Sequence, residues 1–471
     1  MLSQGKISLI VSSAVLFVSS FHAFADARNL SLDESVNLAL SNNPAIVSSA
    51  ADREQAKWRL SETRRSRGLS LAFTSAANRI GGKDYESARA AHDAYPSEYP
   101  AYQKHFSNQI TATIPIYTGG NLENTQEAAS HGLSAADLYL ENTRQNVRYQ
   151  TKTAYFFILQ RKNNIAVATE AVRNLEEHLK TVSIQYSVGT TPRSDILSTD
   201  VHLANKKRTL LAAKNSYEDA VSNLKNIVGI PQNINIEVDD ELEKYTETID
   251  MTLDECLAYA KEHRSDNLAI KFSKKQALNQ INAAKSGNLP QVNANVSRNL
   301  SGEKPFKEDH SGSWTAGLSL SWNLFDSGVT SARVKEAEAA LMKVEAQERE
   351  LQEQIELDVK QAYDDMKSAE EEIEVTKKAV EQAKESLFLA EVRYKEGVDT
   401  NIAVMDAQEK LVEIRNSYYE ALYNRLTSIA ALEKTLGMPV MIDSLNYETL
   451  RNKGESSDNA IKHSLIDESK G

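Results

Sequence analysis

Few residues in this sequence have the types and spacing that catalysis or metal binding requires. Nine histidines are scattered without the His-Glu-x-x-His spacing that sets two imidazoles on one helix face for a metal. The lone Cys256 falls in a short capped helix read over 253–261, where it serves as a small packing residue, and one cysteine excludes an intramolecular disulfide. No glycine loop able to cradle phosphate and no Gly-x-Ser-x-Gly elbow occurs. The chain is therefore read as no enzyme, with no cofactor and no metal. The polar side chains that stand out instead flank two turn glycines. Arg193, Ser194 and Asp195 follow Gly189-Thr190, and Tyr394, Asp399 and Asp406 surround Gly397-Val398.

The elements that position these residues come in two copies. Leu30-Ser-Leu-Asp-Glu-Ser35 aligns with Met251-Thr-Leu-Asp-Glu-Cys256 at an offset of 221. Each segment opens a short helix with Ser31 or Thr252 as cap and Glu34 or Glu255 three positions later. Beyond that the offset is a constant 208: Tyr117-Thr-Gly119-Gly120 meets Phe325-Asp-Ser-Gly328, Tyr186 and Gly189 meet Tyr394 and Gly397, and Gly229-Ile-Pro231 meets Gly437-Met-Pro439. The 13-residue difference falls in polar stretches, about 82–105 and about 302–312, where exposed loops tolerate length changes. The division is thus a first repeat over 26–231, a linker over 232–250, a second repeat over 251–439 and a polar tail over 440–471.

At the amino terminus Lys6, the apolar run Ile7–Phe21 and Ala23-Phe24-Ala25 have the three parts of a secretory signal peptide, expected to be cleaved after Ala25. A membrane anchor needs about 20 apolar residues, and this run is shorter and broken by serines. Asp26 after the cut leaves no cysteine for lipid attachment. Lys plus Arg number 54 against 66 Asp plus Glu, a net −12 that disfavours a nucleic-acid partner and would favour cations inside any enclosed pore.

Four segments alternate with period two. They cover about 69–81 and 106–117 in the first repeat and about 290–301 and 313–325 in the second. Leu69, Leu71 and Phe73, then Ile110, Ala112, Ile114 and Ile116, alternate with polar or small residues; Val292, Ala294 and Val296 do the same. In the fourth segment Trp314, Leu318, Leu320 and Trp322 share one face. Ten-residue strands suit a tilted bilayer crossing, and Trp314 and Trp322 suit aromatic girdles against outer-membrane lipid. Hairpins packed on a soluble core are the alternative. Four strands cannot close around water, and open edges are not tolerated in lipid, so the membrane reading demands oligomerisation.

Between these strands and the turn glycines lie stretches without proline, over about 120–186 and 328–396, followed by returning segments over about 194–228 and 401–436. About 67 residues at 1.5 Å rise give a helix roughly 100 Å long, several times a domain diameter. Apolar residues recur every seven positions: Ile158, Ile165, Val172, Leu179 and Tyr186, then Met366, Ile373, Val380, Leu387 and Tyr394. Such a repeat predicts supercoiled helices packed side by side. A soluble coiled-coil spacer would account for the heptads but not for the leader or the strands.

The duplication, the Tyr-Thr-Gly-Gly and Phe-Asp-Ser-Gly strand-to-helix turns, and Tyr186-Ser-Val-Gly-Thr190 at a hairpin tip resemble the TolC family of outer-membrane efflux proteins over about 30–439. The resemblance implies an α+β membrane protein, a tandem-repeat protomer with four transmembrane strands. Three copies would form a twelve-stranded barrel, and their long coiled-coil helices a periplasmic tunnel. It also implies a homotrimer acting as a passive exit duct for multidrug efflux or type I secretion, working with a periplasmic adaptor (membrane fusion) protein and an inner-membrane pump or ABC transporter. A structural envelope tether without transport is the alternative. By the same resemblance Ser194, Asp195 and Tyr394 belong to a periplasmic gate, Asp406 matches the second of two constricting aspartates, and Ala403 stands where the first would be. The basic latch residue of the second tip is replaced by Asp399, with Arg193 a candidate substitute. Gly189, Thr190, Gly397 and Val398 mark the tips that would meet the adaptor.

Overall fold

The computed structural model describes residues 28–79, 81–96, 104–238, 245, 249–302, 304–306 and 312–440. The expected leader, all but the first residue of the tail and much of the linker lie outside them. In chain order the elements are β1 (Arg28–Leu30), α1 (Leu32–Asn42), α2 (Pro44–Arg65), β2 (Ser70–Arg79), α3 (Lys83–Ala94), β3 (Lys104–Tyr117), α4 (Asn121–Ser187) and α5 (Arg193–Val228). There follow β4 (Ile236–Val238), α6 (Leu253–His263), α7 (Ser265–Lys285), β5 (Gln291–Gly302), β6 (Ser313–Ser321), α8 (Val329–Lys395) and α9 (Asn401–Leu436).

The duplication is written into the backbone. α4 and α8 are each 67 residues long, and α5 and α9 are each 36. Left-handed conformations recur at the offset of 208: Gly120 and Gly328 at φ 83° and 87°, Gly189 and Gly397 at 81° and 74°, Gly229 and Gly437 at 76° and 72°. Even Ser327, at φ 55°, repeats the turn of Gly119 at 66°. The expected capping box is present in α6, where the Thr252 amide donates to Glu255 Oε2 at 2.8 Å and the Glu255 amide donates back to Thr252 Oγ1 at 3.4 Å.

The chain divides into two compact units, and α4 and α8 contribute residues to both. The first holds β1, α1, β4, α5, α9 and the distal parts of α4 and α8. β1 and β4 form a two-stranded parallel pair, too short for periodicity to reveal, and β4 lies within the stretch read as a linker. Tyr155, fully buried, donates its hydroxyl to Leu30 O at 3.1 Å, tying α4 to β1. The carboxyl end of α9 is closed by donors from α4: Gln145 Nε2 to Gly437 O at 3.2 Å and Arg148 to Met438 O at 2.9 Å. Both carbonyls lie in the turn just past Leu436, where Arg148 also complements the negative end of the helix.

The second unit holds a four-stranded antiparallel sheet in the order β2-β3-β5-β6. Its register puts apolar residues beside apolar ones across the strands in two neighbouring rows of one face, with Arg298 the exception. Leu71, Ala112, Val296 and Ala316 form one cross-strand row, and Phe73, Ile110, Arg298 and Trp314 another on the same face. Between them Ala72, Thr111, Ser297 and Thr315 form a row on the opposite face. Among the described residues this face is uncovered: Leu71 is 72% exposed, Trp314 69% and Leu318 74%. β6 ends at Ser321, short of the expected 325, so Trp322 lies just beyond the strand and donates Nε1–H to Asn288 O at 3.0 Å. β2 stops at Arg79. The stretch read as a polar loop after it contains α3, a helix with four alanines.

Strand passes to helix at the two glycine turns. A Cβ on Gly119 would stand 2.7 Å from Leu289 Cβ, so only glycine fits there. Thr118 Oγ1 accepts from the Leu122 amide at 3.3 Å at the start of α4. Asp326, at the equivalent position before α8, accepts from the Gly328 and Thr330 amides at 2.9 and 2.7 Å. Hydrogen bonds from Thr330 and Gly328 hold this carboxyl below the usual carboxylate range.

Candidate functional site

The predicted gate residues lie at the ends of four helices in the first unit. α4 and α8 each stop in a Schellman turn. The Gly189 amide donates to Tyr186 O and the Thr190 amide to Gln185 O, both at 3.0 Å; Gly397 and Val398 repeat this onto Tyr394 O and Arg393 O at 3.0 and 2.9 Å. The left-handed φ at Gly189 and Gly397 lets each chain reverse. α5 then begins behind Pro192, and α9 begins behind Thr400, whose Oγ1 accepts from the Ala403 amide at 3.3 Å.

Two chains of hydrogen bonds converge on Asp195. In the first, the buried Tyr394 places its hydroxyl 3.4 Å from Thr191 Oγ1, and Thr191 donates to Asp195 Oδ2 at 3.3 Å. Ser194 Oγ donates to the other carboxylate oxygen at 3.3 Å. In the second, His178 Nε2 lies 2.7 Å from Asn401 Oδ1, and Asn401 Nδ2 donates to Thr199 Oγ1 at 3.0 Å and to Asp195 O at 3.4 Å. The Asn401 nitrogen is committed as a donor, so its oxygen accepts and His178 carries its proton on Nε2. The imidazole also lies against the Tyr394 ring, centroids 5.3 Å apart, which closes the circuit. One network thereby joins α4, α5, α8 and α9.

Around it packs a small core of Val182, Ala383, Leu387, Val404 and Leu411. Burial pushes the His178 imidazole below its ordinary value, opposed by the bond to Asn401 and by Glu391, while Lys395 adds to the depression. A groove of ≈ 400 Å³ runs beside the imidazole, with Glu177, Glu391 and Lys395 in its wall.

Of the residues expected from sequence, Ser194, Asp195 and Tyr394 come together, with Tyr394 reaching the carboxylate through Thr191. Asp406 is exposed on α9 and has no bonding partner among the described residues of the protomer, and Ala403 lies one turn before it. Arg193 is exposed and makes no ion pair with Asp399 within the protomer; the Asp399 carboxylate instead accepts from the Thr400 amide at 2.8 Å. The bonds that join the two tips inside one protomer therefore run through hydroxyls, the Asp195 carboxylate, an amide and an imidazole. Sequence reasoning missed Thr191, Asn401 and His178. His178 lies eight positions before Tyr186, close enough for helical spacing to bring it to the tip.

Comparison with known proteins gives this geometry a context. The family model described as outer membrane efflux protein matches residues 35–230 and 257–438. The outer membrane protein TolC of Escherichia coli (strain K12) is 24% identical over 440 residues, covering 90% of this chain and 85% of that protein. Among solved structures, the outer membrane protein VceC of Vibrio cholerae superposes with a TM-score of 0.75 at 18% identity, covering 86% of this chain and 96% of its own. The CmeC outer membrane channel of Campylobacter jejuni does so with a TM-score of 0.75 at 17% identity, covering 91% and 89%.

Proposed function

Because the chain belongs to the outer membrane efflux protein family, we propose that it is one protomer of a trimeric export duct that carries substrates out through the outer membrane. The observation that carries this reading is the four-stranded sheet, whose exposed face is apolar from Trp314 to Leu320 apart from Arg298 and whose edges, β2 and β6, are unpaired among the described residues. An apolar face of that kind belongs in lipid, and lipid does not tolerate unpaired backbone edges. Pairing β6 of one copy with β2 of the next, three times over, makes a twelve-stranded barrel with the polar rows turned inward. Trp314 then faces lipid near one rim, and Trp322 stands at the turn into α8.

The long helices of three copies form the periplasmic conduit, and the network centred on Asp195 holds each pair of hairpin tips shut. The exposed Asp406 repeats three times around the axis, concentrating negative charge that favours cations and offers multivalent cations a blocking site. Val188 and Val398, 69% and 77% exposed beside the tip glycines, offer apolar contacts to a periplasmic adaptor. An inner-membrane pump or ABC transporter supplies the energy, for multidrug efflux or type I secretion.

The test is single-channel conductance of the purified protein in planar bilayers, wild type beside Asp406→Ala, with a trivalent cation on the tip side. A cation-selective pore, blocked in the wild type and less blocked in the variant, is expected. Properly inserted trimers that never conduct, even after Asp195 and Asp406 are both changed to alanine, would favour the envelope tether.

A further inference from the structure

The four strands of the sheet hold no aspartate or glutamate, in a chain where Asp plus Glu outnumber Lys plus Arg by 66 to 54. Their lysines and arginines are Arg79, Lys104 and Arg298, and the register places all three on the apolar face. Arg298 lies in the row of Phe73, Ile110 and Trp314. Beyond it come a row of Ser75, Asn108 and Leu300 and a row of Ala77, Phe106 and Gly302, and in the next Arg79 stands opposite Lys104. All three basic side chains are exposed. Phe306, at φ 58°, stacks on Phe73 with ring centroids 6.3 Å apart, so the turn after β5 folds back onto the row of Arg298, with the exposed Lys304 two positions earlier.

Depth and charge together select the occupant. Trp314 and Trp322 are eight positions apart, which at about 3.3 Å per residue and a tilt of about 40° is a height of roughly 20 Å. The apolar band of a membrane barrel is about 25 Å tall, so Arg298, level with Trp314, sits at its margin, where the stem lies on apolar surface and the guanidinium reaches headgroups. That margin is the outer one, because the helices join the strands at the opposite ends, near Ser70, Tyr117, Gln291 and Ser321. Arg298 belongs to an inner strand, so pairing β6 with β2 of a neighbouring copy leaves it facing lipid. A guanidinium has five donors and grips phosphate bidentately, with donors to spare for another contact. Arg79 and Lys104 stand six residues, or about 20 Å, further along the strands, too far for a phospholipid whose one phosphate is held at Arg298. A saccharide headgroup phosphorylated at more than one point spans both levels. We propose that the outer rim of this face binds a phosphorylated glycolipid of the outer leaflet. Arg298 holds one phosphate beside Trp314 and Phe306, and Arg79 with Lys104 holds another; the inference rests on the barrel reading of the sheet.

The experiment uses the full-length trimer in an uncharged detergent. Lipid A with two phosphates, lipid A with one, and phosphatidylglycerol are titrated by native mass spectrometry, with Trp314 fluorescence as a second readout in a background of Trp58→Phe and Trp322→Phe. The bisphosphorylated lipid is expected to bind saturably and at least tenfold more tightly than phosphatidylglycerol, with the monophosphorylated lipid between them. Arg298→Gln should weaken it at least fivefold. Arg79→Gln with Lys104→Gln should do the same independently, which keeps the test open should the first variant fail to assemble. Lys214→Gln, which removes a like charge from α5, should change nothing. Equal affinity for the three lipids overturns the proposal, as does wild-type binding by both rim variants or an equal loss in Lys214→Gln. Conductance of the same preparations separates the two readings. Trimers that insert and conduct yet do not distinguish the lipids sink this site alone, whereas a protein that never enters bilayers sinks the barrel reading and the site with it.

Discussion

The two hairpin tips share one backbone and differ in the side chains that bond across them. Tyr186 and Tyr394 hold equivalent positions, yet Tyr186 is 44% exposed and Tyr394 only 6%. Arg193 points to solvent where the equivalent Asn401 is buried at 4%. Asp195 collects hydroxyl donors where the second tip has Ala403, and Ser198 stands where the second has Asp406. Had the second tip kept the first tip's residues, an arginine would stand in place of the buried Asn401 and an aspartate in place of Ala403. Divergence instead makes them complementary: the first contributes Thr191, Asp195 and Thr199, the second the aromatic ring and the amide. Duplication supplied two equal frames, and the bonds between the tips arise from their inequality.

The strongest way to break this comparison is to remove its central amide. In Asn401→Leu a buried residue loses bonds to His178, Thr199 and Asp195 O, leaving partners unsatisfied. A loss of about 2–3 kcal/mol from the closed arrangement is expected, or at least about thirtyfold in the opening equilibrium. Arg193→Ala at the equivalent exposed position should change stability by no more than about 0.5 kcal/mol. Open probability in bilayers and thermal unfolding of the trimer measure both; equal effects at the two positions would refute the asymmetry.

Changing what the tips share should instead affect them alike. Gly189→Ala and Gly397→Ala each force a side chain into a left-handed backbone, with no neighbouring atom within 4 Å to add a clash. Each should cost about 1–2 kcal/mol. Thermal unfolding checks this, and a difference between them beyond about 1 kcal/mol would show that one tip relaxes where the other cannot.

A pH titration separates the tips in another way, because His178 has its equivalent in Ser386. Packing depresses the imidazole below its ordinary value of 6.5, so this arrangement of the tips prefers the neutral ring. The stabilisation is present above that value and is lost as pH falls through the depressed one. Charged groups around the ring are Glu170 and Glu177 on α4, Lys384, Glu391 and Lys395 on α8, and Arg415 on α9. Open probability should therefore rise on acidification from about pH 7.5 to 5, by less than about tenfold, the equivalent of about 1.4 kcal/mol. His178→Gln should remove this component and leave any carboxylate titration in place.

Local signals carry much of the frame. Gly189, Gly397, Gly229 and Gly437 are legible because a left-handed turn needs glycine, and the long helices because sevenfold spacing persists without proline. The cross-strand rows of the sheet follow the alternation read in each strand. The network is less legible because it depends on distance in sequence: Asn401 is 223 residues from His178 and 202 from Thr199. A histidine inside a long helix looks like any solvated residue until its partner is placed. The end of β6 is hidden because apolar alternation continues to Leu324, while Asp326 and the Trp322–Asn288 bond already commit the chain to turning. The four alanines of α3 are a usable helix signal, masked by the polarity of the stretch around them.

The smallest expected effect sharpens the comparison most finely. Tyr394→Phe removes one hydroxyl whose contact with Thr191 is long, 3.4 Å, while leaving the ring against His178 and inside its core. The loss should be about 0.5–1 kcal/mol, at the low end for a neutral hydrogen bond, appearing as an opening equilibrium shifted about two- to fivefold. Tyr186→Phe should change nothing measurable, since that ring is exposed and its hydroxyl has no partner among the described residues of the protomer. If Tyr394→Phe is also silent while Tyr394→Ala opens the channel, closure rests on packing of the ring, and the Thr191–Asp195 chain follows the closed state without holding it. If Tyr394→Phe and Thr191→Val each open the channel and their combination adds nothing further, the two act through one chain of bonds, and Asp195 is where the unequal tips are joined.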